Sequence, residues 1–312
     1  MIDFFDPVTL EHTGLCRSAA ASLGLERVLL VLQDSVKGSV CAPRRDRWRM
    51  LVAACAGCKE LVPVDMKNAS AESLSRLYPG DELIPLDPPA VFSALCPSVQ
   101  EYCDLLGLYG VTPVIPEVRS RVVKLFKALK PHRFAHSLSV ARTARTLALR
   151  YGIDPQKAEE AGLFHDCAKC LPLSEMRKIA VKHRITEDPA FLESGALLHS
   201  VVGSYIAEKD YGITDREELD AIAYHNTGHA GMTLLAMCVC LADFIEPNRE
   251  SFPLLEETRR LAETSLECAL LHSLEATADY VLSGGKYLHP RTADTIAWLK
   301  TLPAVRNSSL ND

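Results

Sequence analysis

The feature that most constrains the fold of this 312-residue chain is a change in hydrophobic patterning near Pro116. Beyond this proline, apolar residues recur at the three- and four-residue spacing of amphipathic helices, almost without a break. Before it, short apolar runs alternate with helical patterning, which is typical of a small parallel sheet. The sequence therefore predicts a multidomain chain of class α/β plus all-α.

The domain boundaries follow from the same pattern. The predicted strands of the first domain are the apolar runs at 27–32, 61–64 and 83–86. The predicted division of the chain is an α/β domain at 1–115, an all-helical bundle at 117–302 and a flexible tail at 303–312.

Capping residues and prolines mark helix ends in the second half. Asp154, which precedes a proline, predicts the start of a helix that runs to about Lys169. The capping-box pattern beginning at Thr214 predicts the start of another helix. Residues 234–245 and 254–282 are each predicted to form one helix.

Charge and composition restrict the class of partner. The 34 Lys+Arg and 40 Asp+Glu give a net charge of −6, which argues against nucleic-acid binding through a general basic surface. The most apolar window, 232–245, is too short to cross a bilayer, and the N-terminus lacks a signal-peptide pattern. Eleven cysteines, an odd number, fit reduced thiols. We therefore expect a cytoplasmic protein without nucleic-acid or membrane partners.

Six side chains in the helical half have the chemistry of a metal site. They are His136, His165, Asp166, His199, His225 and Asp243. Asp243 lies inside a strongly apolar segment, where a carboxylate is costly to bury unless it is paired or bound to a cation. A single histidine on such a helix is more often a packed residue, but six potential ligands on facing helices favour a metal site. Imidazoles and carboxylates suit iron, manganese or zinc.

The ordered series of these residues resembles the HD-domain metal-dependent phosphohydrolases. The flanking segments are similar to those of bacterial HD-domain hydrolases that split diadenosine tetraphosphate symmetrically into two ADP. These segments are Arg133–Ser137, Gly162–Lys169, Leu198–Ser200, Tyr224–Gly228, Leu241–Arg249 and His289–Thr292. The resemblance covers roughly residues 120–300, with one departure at His229, where many relatives have arginine.

The resemblance implies two divalent metal ions, with iron as the expected metal and manganese or zinc as alternatives. The ligands that it assigns to one ion are His136, His165, Asp166 and Asp243. Those of the other ion are His199 and His225, with Asp166 bridging the two. It also implies that a metal-bound hydroxide attacks phosphorus in line, without a covalent intermediate on the protein.

Cationic residues near these ligands are candidates for binding phosphate. Lys169 follows Asp166 by three residues and is expected on the same side of the chain, so we assign both as catalytic. Arg133 and Arg249 are expected to bind the substrate together with Lys169. The alternative for each cation is a solvated surface charge.

The loop after His225 is a further candidate for substrate binding. Asn226, Thr227 and Gly228 are expected to lie against the substrate. Thr227 supplies a hydroxyl donor, and Gly228 allows the backbone to approach closely.

The segment Phe5–His12 resembles the entry motif of nucleotidyltransferases, particularly the nicotinate-mononucleotide adenylyltransferases. Thr9 and His12 match that motif, but Glu11 replaces its glycine. A glutamate adds bulk and repulsion where backbone amides approach a triphosphate. We therefore expect a degenerate, Rossmann-like domain that is inactive and serves packing, homodimerisation or nucleotide sensing.

Several functions remain open from the sequence. The leading hypothesis is a dinuclear-metal hydrolase that converts diadenosine tetraphosphate and water to two ADP. An HD phosphohydrolase of another nucleotide or phosphoester would keep the same ligands. A nucleotide-binding regulatory protein is an alternative of another class, and retained adenylyltransferase activity in the first domain is the minority alternative.

Overall fold

The computed structural model describes residues 1–3, 5, 9–32, 42–66, 69–79, 99, 116–249 and 252–308. By its internal contacts, the chain divides into two compact units, Met1–Lys127 and Ala128–Asp312. The predicted strand at 83–86 lies outside the described residues, and the predicted domain boundaries stay predictions.

The first unit contains a small parallel sheet. Its described elements are β1 (Ile2–Asp3), α1 (Leu10–Leu23), β2 (Val28–Leu32), α2 (Arg44–Cys55), β3 (Leu61–Asp65), α3 (Ala71–Leu77) and α4 (Pro116–Ala128). The strands pair in parallel in the order β1-β2-β3, with Val28 opposite Leu61. The central β2 is apolar and almost fully buried, as expected for a strand covered on both faces. The runs at 27–32 and 61–64 are therefore strands, as predicted.

The second unit is all-helical, as predicted. Its described helices are α5 (Pro131–Tyr151), α6 (Pro155–Phe164), α7 (Leu173–Lys182), α8 (Pro189–Glu193), α9 (Gly195–Tyr211), α10 (Arg216–Tyr224), α11 (Leu234–Ile245), α12 (Pro253–Leu261), α13 (Leu266–Ser283), α14 (Pro290–Leu299) and α15 (Pro303–Ser308).

Helix α11 forms the centre of this unit. It is buried along most of its length and packs against α5, α6, α10 and α13. Its bounds match the predicted helix at 234–245, and Thr233 caps its first turn by accepting a hydrogen bond from Ala236 N–H. Among the helices in the described ranges, none is long and apolar enough to cross a membrane.

The helix that begins after Asp154 is shorter than the sequence predicts. It ends at Phe164, and the chain continues through turns as far as Lys169. The cause is a switch to i→i+3 hydrogen bonds: Cys167 N–H donates to Phe164 O and Lys169 N–H donates to Asp166 O. The prediction of a helix to Lys169 was therefore wrong.

Two other predicted helix limits were also wrong. The cap before α10 is Asp215 rather than Thr214, because the Asp215 carboxylate accepts hydrogen bonds from two amides of the first turn. The predicted helix at 254–282 is interrupted between α12 and α13. There Ser265 accepts a hydrogen bond from Cys268 N–H and starts a new helix.

The segment 303–312 differs from the expected flexible tail in its first part. Pro303–Ser308 form α15, and Val305 is buried. An apolar side chain that loses its contact with water stabilises such a short helix through packing rather than through propensity.

Candidate metal centre

The six predicted ligands come from separate elements of the second unit and converge on one place. His136 lies on α5, His165 and Asp166 follow α6, His199 lies on α9, His225 follows α10, and Asp243 lies on α11. The ring centroids of His136 and His165 are 5.2 Å apart, and those of His199 and His225 are 5.0 Å apart. We call these six side chains the metal cluster.

Three of the imidazoles are oriented by the backbone of their own preceding turn. Their Nδ1 atoms lie 2.7 Å from a carbonyl oxygen for His165 and His225, and 3.2 Å for His199. Because a carbonyl oxygen only accepts hydrogen bonds, each Nδ1 carries the hydrogen. Each Nε2 of a neutral ring is then left with a lone pair, the form in which histidine binds metal ions.

These lone pairs point into the cluster. The Nε2 atoms of His199 and His225 face each other at 3.1 Å. His165 Nε2 is buried without a hydrogen-bond partner in the part of the chain that the structure describes. It lies 3.5 Å from Asp166 Oδ2 and 3.9 Å from Asp243 Oδ1. Such an arrangement of lone pairs and carboxylates fits a shared divalent cation.

Distances between ligand atoms define two overlapping groups. In one, His136, His165 and Asp243 each offer an atom within 4.8 Å of the others; in the second, His165, Asp166 and His225 do so. The cluster could therefore hold a metal ion, and its donors are nitrogen and oxygen atoms.

The electrostatics of the cluster favour ligand forms. Burial alone would raise the pKa of Asp166, but the adjacent His165 and His199 hold it well below its usual range. Burial likewise opposes ionisation of Asp243, yet His136 and His165 lower its pKa. Burial lowers the pKa of His199, and burial with its histidine neighbours lowers that of His225 to about 3. Ionised carboxylates and neutral imidazoles are the forms that bind metals.

His136 differs from His199 and His225 in the direction of its pKa shift. Burial alone would lower its pKa, but its contacts with Asp243 and Glu246 raise it to about 9. Its Nε2 lies 3.0 Å from Asp243 Oδ1, and its Nδ1 lies 3.2 Å from Glu246 Oε1. Two carboxylates thus hold a proton on His136 wherever a metal ion does not replace it.

Comparison with known proteins identifies the family. Residues 133–248 match the model of the HD domain. The chain is 42% identical over 173 residues to the symmetrical bis(5'-nucleosyl)-tetraphosphatase of Bacillus subtilis (strain 168). This match covers 55% of this chain and 91% of that protein. The chain belongs to the HD-domain family of these tetraphosphatases.

Two further relatives extend the comparison. A protein of Mycoplasma genitalium named probable nicotinate-nucleotide adenylyltransferase/Ap4A hydrolase is 30% identical over 229 residues, 72% of this chain and 57% of that protein. A crystal structure from Clostridium acetobutylicum, described as a predicted HD superfamily hydrolase involved in NAD metabolism, is 37% identical. Its TM-score is 0.56, and the match covers 58% of this chain and 95% of the other.

In this HD-domain family member, the three predicted phosphate-binding cations lie beside the cluster. Lys169 Nζ is 3.0 Å from His199 Nε2 and 3.7 Å from Asp166 Oδ1. Arg133 Nη1 donates to Asp166 Oδ2 at 2.8 Å. Arg249 Nη2 donates to the backbone oxygen of Asp243 at 2.8 Å. All three positive charges are thus within reach of an anion bound at the cluster.

The loop after His225 has a structural role that the sequence did not indicate. Asn226 Nδ2 donates to the backbone oxygen of Ala196. Thr227 is buried, and its hydroxyl donates to Gly228 O at 3.0 Å. Gly228 has φ +66°, and a Cβ there would lie 2.6 Å from Thr295 Cγ2. The positive φ and the nearness of Thr295 account for the glycine at 228, whereas the expected substrate contacts of Asn226, Thr227 and Gly228 stay predictions.

Glu246 is a further candidate for the site that the sequence did not indicate. Its carboxylate is buried, contacts His136 and accepts a hydrogen bond from Asn248 N–H at 2.7 Å. A carboxylate on the second nitrogen of a metal-binding histidine fixes the ring's orientation. The available signal was its spacing of three residues from Asp243, which places both carboxylates on one side of the chain.

Proposed function

We propose that the protein is a dinuclear-metal hydrolase of dinucleoside polyphosphates, which converts diadenosine tetraphosphate and water to two ADP. The observation that carries this proposal is the buried cluster of inward-facing imidazole Nε2 atoms and carboxylates. The names of the tetraphosphatase relatives support the substrate class. The reaction belongs to the hydrolysis of acid anhydrides.

The donor set fits two divalent ions, and we propose iron, with manganese or zinc as alternatives. His136, His165, Asp166 and Asp243 would hold one ion. His199 and His225 would hold the other, with Asp166 between them. When bound, such ions lower the pKa of water and neutralise charge on phosphoryl oxygens.

The chain's own residues would bind and orient the polyphosphate. Arg133 and Arg249 offer guanidinium groups that pair well with phosphate oxygens. Lys169 stands beside Asp166 and His199, where it can stabilise the charge that grows on the departing phosphate. We therefore propose Asp166 and Lys169 as catalytic residues, while Glu246 orients His136.

The test of this function is the product pattern of the purified, Fe²⁺- or Mn²⁺-loaded protein with diadenosine tetraphosphate. Chromatography is expected to show ADP as the sole nucleotide product. Asp166→Ala and the isosteric Asp166→Asn are both expected to abolish turnover, and circular dichroism checks that they fold. ATP plus AMP would contradict symmetrical cleavage, and absence of turnover by the loaded wild type would contradict the proposed function.

The name of the Mycoplasma relative includes a second activity, nicotinate-nucleotide adenylyl transfer. We propose that the first unit of this chain has lost that activity. The unit is proposed to be Rossmann-like, with its parallel strands in the order β1-β2-β3. Thr9 N–H donates to His12 Nδ1 at 3.1 Å, and residues 6–8 of the motif lie outside the described residues. Glu11 in place of glycine remains the argument against adenylyl transfer.

A further inference from the structure

A cavity of about 700 Å³ opens beside the metal cluster. His225 and Asp243 form part of its wall, so the cavity is continuous with the cluster. Most of the remaining wall comes from the segment after α11 and from α13. Its volume falls within the range of about 300–1,000 Å³ that is typical of small-molecule sites.

Aromatic side chains give this cavity a flat, apolar character. Phe244 and Phe252 meet edge to face with ring centroids 6.2 Å apart. Phe252 is 39% exposed, and Tyr280 on α13 is 70% exposed. Several exposed aromatic rings beside a charged cluster fit a ligand site, because aromatic rings are platforms on which nucleobases stack.

Arg249 connects the aromatic wall with the cluster. Its guanidinium carbon lies 5.6 Å from the centre of the Phe244 ring, and its Nη2 lies 3.6 Å from Asp243 Oδ1. Its Nε is buried and has no hydrogen-bond partner among the described residues. The Arg249 guanidinium is a planar donor between the Asp243 carboxylate and the aromatic rings. It is therefore well placed to bind a phosphate that links a nucleoside in the cavity to a group at the metal cluster.

We propose that this cavity holds one nucleoside of the substrate, with its base against Phe252 and Tyr280 and its first phosphate at Arg249. This inference rests on the proposed function. It adds that Phe252, Tyr280 and Arg249 select the substrate and determine the position of cleavage. Because Arg249 Nη2 lies 3.6 Å from Asp243 Oδ1, a first phosphate bound at Arg249 would place the second phosphorus at the metal cluster.

The cavity thereby sets the position of cleavage. Water gives its oxygen to the second phosphorus and releases a proton to the medium. The bond between this phosphorus and the central bridging oxygen breaks, and the departing ADP keeps that oxygen. Both products are therefore ADP, and a nucleoside bound one phosphate further away would give ATP and AMP.

The test compares two exposed apolar residues on α13. Tyr280 lines the cavity, whereas Leu282, 57% exposed, lies outside its described lining. Tyr280→Ala is expected to raise KM for diadenosine tetraphosphate about tenfold with little change in kcat, since stacking of one base is lost. Leu282→Ala is expected to keep the wild-type KM. Thr277→Phe, which places a ring inside the cavity, is expected to raise KM as well.

Two further measurements separate this proposal from a general structural effect and from the proposed function. Inhibition by inorganic tripolyphosphate, which has no nucleoside, is expected to be equal in the wild type and in Tyr280→Ala. Calorimetry of ADP binding to the Mn²⁺-loaded protein tests the cavity even without turnover. Wild-type ADP affinity in both Tyr280→Ala and Thr277→Phe, or no ADP binding by the wild type, would overturn the nucleoside site.

Discussion

At the scale of single residues, His136 couples metal binding to pH. Its pKa of about 9 lies above its ordinary value of 6.5, while those of His199 and His225 are lowered. The proton on His136 therefore stabilises the metal-free fold fully below pH 6.5, and this contribution is lost as the pH rises through about 9. A metal ion that takes its place at Nε2 must release that proton.

We therefore expect binding of Mn²⁺ to the metal-free protein at pH 7.5 to release about one proton per protein from the ligands. The release is expected to fall towards zero above pH 9. Calorimetry in buffers of different ionisation enthalpy measures this number. Glu246→Gln is the matched control: it keeps the shape but removes a carboxylate that raises the pKa of His136, so release at pH 7.5 should decrease. Equal release by both proteins would contradict this account.

A member of the metal cluster could be predicted from the sequence where its polar or charged side chain stands among apolar neighbours in the sequence. Asp243 stands out because a carboxylate inside an apolar helix requires a counter-charge. Glu246 does not stand out, because it follows the end of the helix and its contact with His136 forms only in the folded chain. The steric requirement for glycine at 228 was not predictable for a related reason: Thr295 is distant in sequence, and only packing brings it close.

At the scale of elements, the crossing of α5 and α6 determines the spacing of the cluster. A Cβ at Gly162 on α6 would lie 3.0 Å from Ala141 Cα and 3.3 Å from Ala144 Cβ on α5. This close contact brings His165, which follows α6, within 5.2 Å of His136 on α5, measured between ring centroids.

Gly162→Ala is therefore expected to destabilise the protein, although alanine favours helix. The steric overlap is expected to cost about 1–3 kcal/mol, partly offset by about 1 kcal/mol of helix propensity. Gly203→Ala on α9 is the matched control, because its Cβ would meet nothing closer than 3.5 Å. Urea unfolding should show a lower midpoint for Gly162→Ala than for Gly203→Ala. Mn²⁺ affinity should also fall in Gly162→Ala but not in Gly203→Ala. A higher urea midpoint for Gly162→Ala than for Gly203→Ala would show that α5 and α6 can move apart without cost.

The elements themselves were predictable where a local signal and a tertiary contact agree. Apart from Asp243, helix α11 is apolar, and it begins after a capping threonine, so its limits were predicted correctly. The break between α12 and α13 was missed because the apolar spacing continues through it, while one hydroxyl, that of Ser265, starts the second helix. The end of α6 at Phe164 was missed because i→i+3 hydrogen bonds there leave no mark in the sequence.

At the scale of the whole molecule, the proposed chemistry lies within one unit. The residues of the metal cluster lie between positions 136 and 243 of the sequence, and the last residue that lines the cavity is Ser283. Residues 133–248, which match the model of the HD domain, lie within this unit as well. A region of this size, with its own buried helix α11, is large enough to fold as a domain.

We therefore expect a fragment of residues 128–312 to hydrolyse diadenosine tetraphosphate with the kcat and KM of the full chain, because every proposed ligand and substrate contact is retained. Steady-state kinetics of both proteins, loaded with the same metal, measure this. Asp166→Asn in the fragment controls for a contaminating hydrolase. A fragment that folds by circular dichroism but has a higher KM would show that the first unit contributes to substrate binding.

If the first unit kept adenylyltransferase activity, only the full chain would form a dinucleotide from ATP and nicotinate mononucleotide, and we expect neither protein to do so.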